Sequence, residues 1–87
     1  MPEICRFQGI ILRMLFRDDE QHHKPHIHAV YGEYKASIAL DGTLLSGALP
    51  VRQLNMVIGW IALHEEELYN AWNHAVRGEN FDKIKPL

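Results

Sequence analysis

A histidine-rich segment between His22 and His28 holds the side chains best suited to chemistry. It reads HHKPHIH and contains four of the six histidines in the 87-residue chain. His26 and His28 lie two residues apart where an extended pattern begins, so their side chains are predicted to point the same way, about 6–7 Å apart. Imidazoles in this arrangement can hold a metal ion, bind an anion or transfer protons.

One interpretation of the segment is a site for a divalent transition metal such as zinc. His26 and His28 would supply two ligands from a strand, and His22 or His23 would supply a third from the preceding loop. Three protein ligands plus water form the usual catalytic zinc site, whose bound water can attack an ester, amide or phosphodiester. The competing interpretation is an exposed polar loop, because short histidine tracts also arise from composition alone.

The placement of the histidines depends on a predicted antiparallel sheet in the first half of the chain. Apolar residues alternate from Ile10 to Arg17, as is typical of a half-buried strand. Gln8-Gly9 could close a first hairpin, Gly32-Glu33 predicts a type II′ turn, and Asp41-Gly42 predicts another two-residue turn. We therefore expect a meander of four to five strands within about residues 3–48.

Pairing outward from these turns predicts which side chains share a face of the sheet. Phe7 would oppose Ile10 and Ile27 would oppose Ile38 on an apolar face. The opposite face would point into solvent and would be polar and locally basic, although a one-residue slip in any strand would remove that strand's members. Its members would be Arg6, Arg13, Arg17, His26, His28, Lys35 and Ser37.

The second half of the chain predicts helices packed on one face of that sheet. Pro50 suits a first helical turn, and apolar residues recur after it at helical spacing. One straight helix would bury Glu65, so we expect two C-terminal α-helices, at about 50–63 and 64–77. The predicted fold is a single α+β domain over residues 1–87.

The composition limits which classes of function and which cellular compartments we expect for the protein. Nine basic and eleven acidic side chains give a net charge of −2, which argues against a generally basic nucleic-acid-binding domain. The single cysteine is typical of a reducing compartment. No signal-peptide pattern and no apolar run of membrane-spanning length is present, so we expect a cytoplasmic protein that does not contact a membrane.

The basic face suggests a second interpretation, which is contact with nucleic acid or another anion. The candidate phosphate contacts are Arg6, Arg13, Arg17 and Lys35. Histidines that act on RNA as general acid and base would be a narrower version of this interpretation.

A third interpretation is a protein-interaction module. The last predicted strand, TLLSGAL, includes Leu44 and Leu45 and is uncharged, so its edge could pair with another chain. Met56, Trp60 and Leu63 form a second apolar patch on the first helix. The 47% hydrophobic content exceeds what so small a core needs, and we expect a homodimer or a small protein partner.

The order of the motifs resembles a bacterial family known as domain of unknown function 4160. The resemblance covers essentially the whole chain and rests on CRFQGIILRMLF, HKPHIH, YGEYKA, a DG turn, LPVRQL and KIKPL. It implies a small stand-alone protein, often encoded beside another small protein as in toxin–antitoxin-like pairs, with no activity attached. This chain departs from the family at Val30, where a glutamate is common.

Two functional expectations follow. The leading one is a partner-binding protein, one component of a toxin–antitoxin-like pair, with His26 and His28 at its functional site. The alternative is a metal- or histidine-dependent hydrolase, such as a ribonuclease, that uses the same histidines.

Overall fold

The structure is a computed structural model that describes residues 3–14 and 24–87. Five strands form one antiparallel sheet in chain order, and two helices follow, so the predicted α+β meander is confirmed. The elements are β1 (Glu3–Phe7), β2 (Ile10–Arg13), β3 (His26–Tyr31), β4 (Tyr34–Ala39), β5 (Leu44–Gly47), α1 (Val51–Leu63) and α2 (Glu65–Val76).

The predicted registers of the first two hairpins are also confirmed. Phe7 pairs with Ile10 across the first turn, where Gln8 and Gly9 both have positive φ, as a type I′ turn requires. Tyr31 pairs with Tyr34 across the second turn. There only the glycine, Gly32, has positive φ, which fits the predicted type II′ geometry. The predicted two-residue turn at Asp41-Gly42 is wrong, because the Ala39 amide donates to the Thr43 carbonyl at 2.8 Å and leaves three residues in the loop.

One face of this sheet is apolar and carries the helices. Full burial of each large side chain here contributes about 1.5–3 kcal/mol, so this layer supplies most of the folding free energy. The buried strand residues include Ile10, Leu12, Ile27, Ala29, Ala36 and Ile38, and the helices add Val57, Trp60, Ile61, Leu68, Ala71 and Trp72.

The chain turns between the two helices at His64, where the sequence predicts a break. The His64 amide donates to the carbonyls of Trp60 and Ile61 at 3.1 and 3.2 Å and so ends α1. Glu65 to Glu67 then occupy the first turn of α2, where the helix dipole favours acidic side chains. No helix in residues 3–14 and 24–87 is long and apolar enough to cross a membrane.

The prediction that Trp60 belongs to an exposed apolar patch on α1 is wrong. This side chain is fully buried, and its indole N–H donates to the Lys85 carbonyl at 2.7 Å. The C-terminal tail covers it, since the Ile84 amide also donates to the Ile4 carbonyl of β1 at 2.9 Å. Met56 is half-buried against the core, whereas Leu63 remains 71% exposed.

Gly47 lets β5 approach β4 more closely than any other residue would allow. It has φ +76° and pairs with Ala36. A Cβ atom at this position would overlap the Lys35 carbonyl oxygen, which accepts a hydrogen bond from the next amide, Ala48, at 3.0 Å. Both the backbone conformation and the lack of space therefore require glycine here.

We predict that Gly47→Ala lowers the free energy of unfolding by about 2 kcal/mol or more, because it combines backbone strain with a clash against main chain. Gly59→Ala is the control. Gly59 is an exposed α1 residue with no atom within 4 Å of an added Cβ, and this change should stabilise the protein by about 0.5–1 kcal/mol. Urea unfolding followed by circular dichroism measures both, and equal effects would contradict the role assigned to Gly47.

Candidate functional site

A row of polar residues crosses the face of the sheet opposite the helices. Successive cross-strand pairs join Glu3 to Arg13, Arg13 to His28, His28 to Ser37, and Ser37 to Ser46. Directly opposed residues place their side chains on the same face of a sheet. These five residues, the polar row, therefore bring charged, imidazole and hydroxyl groups from all five strands into one line.

His28 lies at the centre of the polar row. It is half-buried, and its Nδ1 lies 3.3 Å from the Ser37 hydroxyl oxygen, within hydrogen-bond distance. In the tautomer with the proton on Nδ1, the imidazole donates to Ser37, which leaves the serine hydroxyl hydrogen able to donate to a further acceptor. The pair can therefore act as a short hydrogen-bond relay.

The prediction that His26 points into solvent is wrong. Its side chain is fully buried, with its ring centroid 5.3 Å from Trp72 of α2 and 5.2 Å from His28. Its Nδ1–H donates to the Lys24 carbonyl at 2.8 Å, which places the ring proton on Nδ1. A helix from the other end of the chain encloses the imidazole, so strand parity alone could not reveal its burial.

Lys24 ties the start of β3 to the turn between β4 and β5. Its Nζ donates to Asp41 Oδ2 at 2.9 Å, and the Thr43 amide donates to Asp41 Oδ1 at 2.9 Å. The bond from Lys24, aided by Thr43, lowers the pKa of Asp41 from 3.8 to about 2. This contact, the Asp41 brace, joins the turn to the residue whose backbone carbonyl accepts the His26 hydrogen bond.

The predicted basic face is smaller than expected. Arg6 forms an ion pair with Glu3 at 2.7 Å, and this bond is the main cause of the lowered pKa of Glu3. Arg13 stands beside His28 in the polar row, and its buried Nε has no hydrogen-bond partner among the described residues. Lys35 is exposed on the same face, and Arg17 lies outside the described residues.

A pocket of about 230 Å³ opens on this face between β3, β4 and β5. His28, Val30, Lys35 and Ser37 line it, and β5 contributes Ser46 and Gly47. Ser46 was not among the residues predicted from the sequence. Counting outward from a two-residue turn at Asp41-Gly42 places it opposite Ser37, although the pairing nearer the turn, Ile38 with Leu44, is offset by one residue.

The metal-site prediction remains a prediction. Within residues 3–14 and 24–87, no group of three or more histidine, cysteine or acidic side chains is placed to hold a metal ion. Two of the predicted ligands, His22 and His23, lie outside these ranges. His26 and His28 are adjacent, and by themselves they supply two nitrogen donors, one fewer than a catalytic zinc site uses.

These features define a small α+β sheet protein with helices on one face and a polar row and pocket on the other. The chain belongs to the family described as "Domain of unknown function (DUF4160)", whose model matches residues 9–73. The match runs from the first hairpin turn into α2 and includes His26, Trp72 and four members of the polar row. No curated protein and no solved structure matches the chain.

We predict that the two strand histidines have different effects on stability. His26→Ala should lower the free energy of unfolding by about 2–4 kcal/mol, because it leaves a cavity beside Trp72 and removes the donor to Lys24. His28→Ala should cost less than about 1 kcal/mol, since this ring is only half-buried. Urea unfolding curves of both variants test this difference, and a large loss in His28→Ala alone would contradict it.

The Asp41 brace predicts a specific pH dependence. The pKa of Asp41 is lower in the folded state, so its contribution to stability is complete above about pH 4 and is lost as the pH falls towards 2. Asp41→Asn should therefore flatten the decline of the urea midpoint over this range. Lys24→Ala removes the main cause of the shift and should flatten it too, and an unchanged slope in both variants would disprove the brace.

Proposed function

We propose that the protein is a cytoplasmic partner-binding module, one component of a toxin–antitoxin-like pair. It would receive a short strand of a second small protein on the open edge of its sheet, at β5. The observation that carries this proposal is the contrast between the two edges of the sheet.

The β1 edge is already covered by the chain itself. The Ile84 amide donates to the Ile4 carbonyl at 2.9 Å, and Ile84 is buried. At the opposite edge, no described segment pairs with the outer side of β5. Leu44 is 41% exposed there, and Ser46 and Gly47 are exposed as well.

The β5 edge also lacks the side chains that usually discourage pairing with another chain. Soluble proteins place lysine, other charges or proline on exposed edge strands. Residues 43–49, TLLSGAL, contain none of these. An apolar, uncharged edge with exposed main chain favours strand addition, in which backbone hydrogen bonds supply affinity and alternate side chains supply specificity.

The local geometry limits the partner to a short segment. β5 has four residues, and the β4–β5 ladder contains a register shift between Ser37 and Ile38. Such an irregularity twists an edge strand and shortens the stretch that another strand can follow. The partner is therefore a protein with an extended segment of about four residues and an apolar side chain that can meet Leu44.

Burial of His26 makes the hydrolase alternative the weaker one. A general acid or base must come within hydrogen-bond reach of the reacting group, and a fully buried imidazole packed on Trp72 is poorly placed for this. His28 is half-buried, and its Nε2 is enclosed as well.

Leu44→Lys tests the proposal, because it places a charge on the edge without altering a buried side chain. The variant should weaken binding to the product of the adjacent gene at least about fivefold by titration calorimetry, as one unfavourable edge charge costs about 1 kcal/mol or more. Leu63→Lys is the matched control, an equivalent change on a 71% exposed α1 residue, and it should bind normally. The reverse pattern, or a tight dimer of the protein alone broken by Leu44→Lys, would overturn the proposal.

Growth supplies a second readout with the same variants. If the pair is toxin–antitoxin-like, expression of one member alone arrests growth and co-expression of both relieves it. Relief should be lost with Leu44→Lys and kept with Leu63→Lys. Normal growth with either member alone would reject the toxin–antitoxin part of the proposal while leaving the calorimetric result to decide partner binding.

A further inference from the structure

The pocket on the free face of the sheet has a composition unlike the chain as a whole. The protein has a net charge of −2, yet the residues that line the pocket include Lys35 and His28 and no aspartate or glutamate. The Lys35 ammonium group forms no ion pair with any described carboxylate. A cationic hollow of this kind attracts an anion.

The framing side chains converge because of the strand register. Lys35 and Ser37 lie two apart on β4, and they oppose Val30 and His28, which lie two apart on β3. Four side chains on one face therefore outline a patch about 5 Å wide and 6–7 Å long. These dimensions suit a tetrahedral oxyanion that contacts the ammonium group at one end and the serine and imidazole at the other.

The donors of Lys35 and Ser37 suit the oxygens of a phosphate group. The Lys35 ammonium carries three N–H donors, and the Ser37 hydroxyl can donate onward when the His28 imidazole donates to it at 3.3 Å. Ser46 lines the same pocket from β5. Hydrogen bonds from a charged donor to an oxyanion are the stronger kind, so Lys35 should supply most of the affinity.

The volume limits what the pocket can enclose. At about 230 Å³ it is smaller than the 300–1,000 Å³ typical of sites that enclose a whole organic ligand. We propose that this pocket binds the phosphate group of a phosphate ester, through Lys35 and Ser37, and leaves the remainder of the ligand outside. The pocket shares Ser46 and Gly47 with the β5 edge, but it lies on the face of the sheet and does not depend on a partner strand at that edge.

Amide chemical shifts of the full-length protein, titrated with inorganic phosphate at constant ionic strength, test the proposal. Saturable shifts should centre on the pocket residues, with a Kd of about 1 mM, as one small anion makes few contacts. Lys35→Ala should weaken binding at least tenfold. Lys35 is exposed, so this variant should remain folded, and its unfolding curve verifies that.

Lys85→Ala is the matched control. It removes an equal charge from the exposed tail beside β1, at the opposite edge of the sheet, and should change the Kd less than twofold. Equal weakening by both lysine variants would show general charge attraction and overturn the site, as would shifts that do not saturate.

Two organic probes then distinguish the sources of the phosphate group. Adenosine monophosphate that binds at least as tightly as inorganic phosphate, with the same loss in Lys35→Ala, assigns the site to a phosphate monoester. A short RNA oligonucleotide that binds more tightly than the nucleotide, with the same loss, assigns it to a phosphodiester. Binding of either probe that is insensitive to Lys35→Ala would overturn the proposal for that probe.

Discussion

Strand register is the constraint on which this structure depends. Side chains alternate between the two faces of a strand, so a one-residue slip would move the apolar residues of that strand into solvent and its polar residues under the helices. The turns at Gln8-Gly9 and Gly32-Glu33 prevent such a slip, because their backbone conformations each allow one pairing of the flanking strands. The close approach of Gly47 to the carbonyl of Lys35 fixes the pairing of β4 with β5, because only glycine fits at this position.

The same register that forms the core also forms the candidate site. Because the helices require one apolar face, the remaining side chains of each strand are confined to the other face and fall into cross-strand rows. The polar row and the pocket are therefore consequences of hairpin geometry, not of a separate structural element. A rigid strand framework of this kind holds His28, Ser37 and Lys35 at defined spacing without a ligand.

The C-terminal tail gives the sheet its asymmetry. It covers one edge through Ile84 and satisfies the indole of Trp60 through the Lys85 carbonyl, whereas no described segment pairs with the outer side of β5. The two histidines of β3 also have different surroundings. Trp72 encloses His26, which becomes part of the packing around α2, while His28 stays on the accessible face. Of these two histidines, His26 therefore contributes to packing and His28 to the candidate site.

Local patterns in the sequence were sufficient for the order of the elements and for the registers of the first two hairpins. Turn residues, alternation and helical spacing predicted a meander of four to five strands, the pairing of Ile27 with Ile38 and the break at His64, because each depends on neighbours along the chain. They did not predict the extra residue in the turn between β4 and β5. The burial of His26 and Trp60 was decided only by tertiary structure. Their enclosing groups, Trp72 and the backbone of Lys85, come from distant parts of the chain, and strand or helix periodicity carries no information about which remote segment will cover a given side chain.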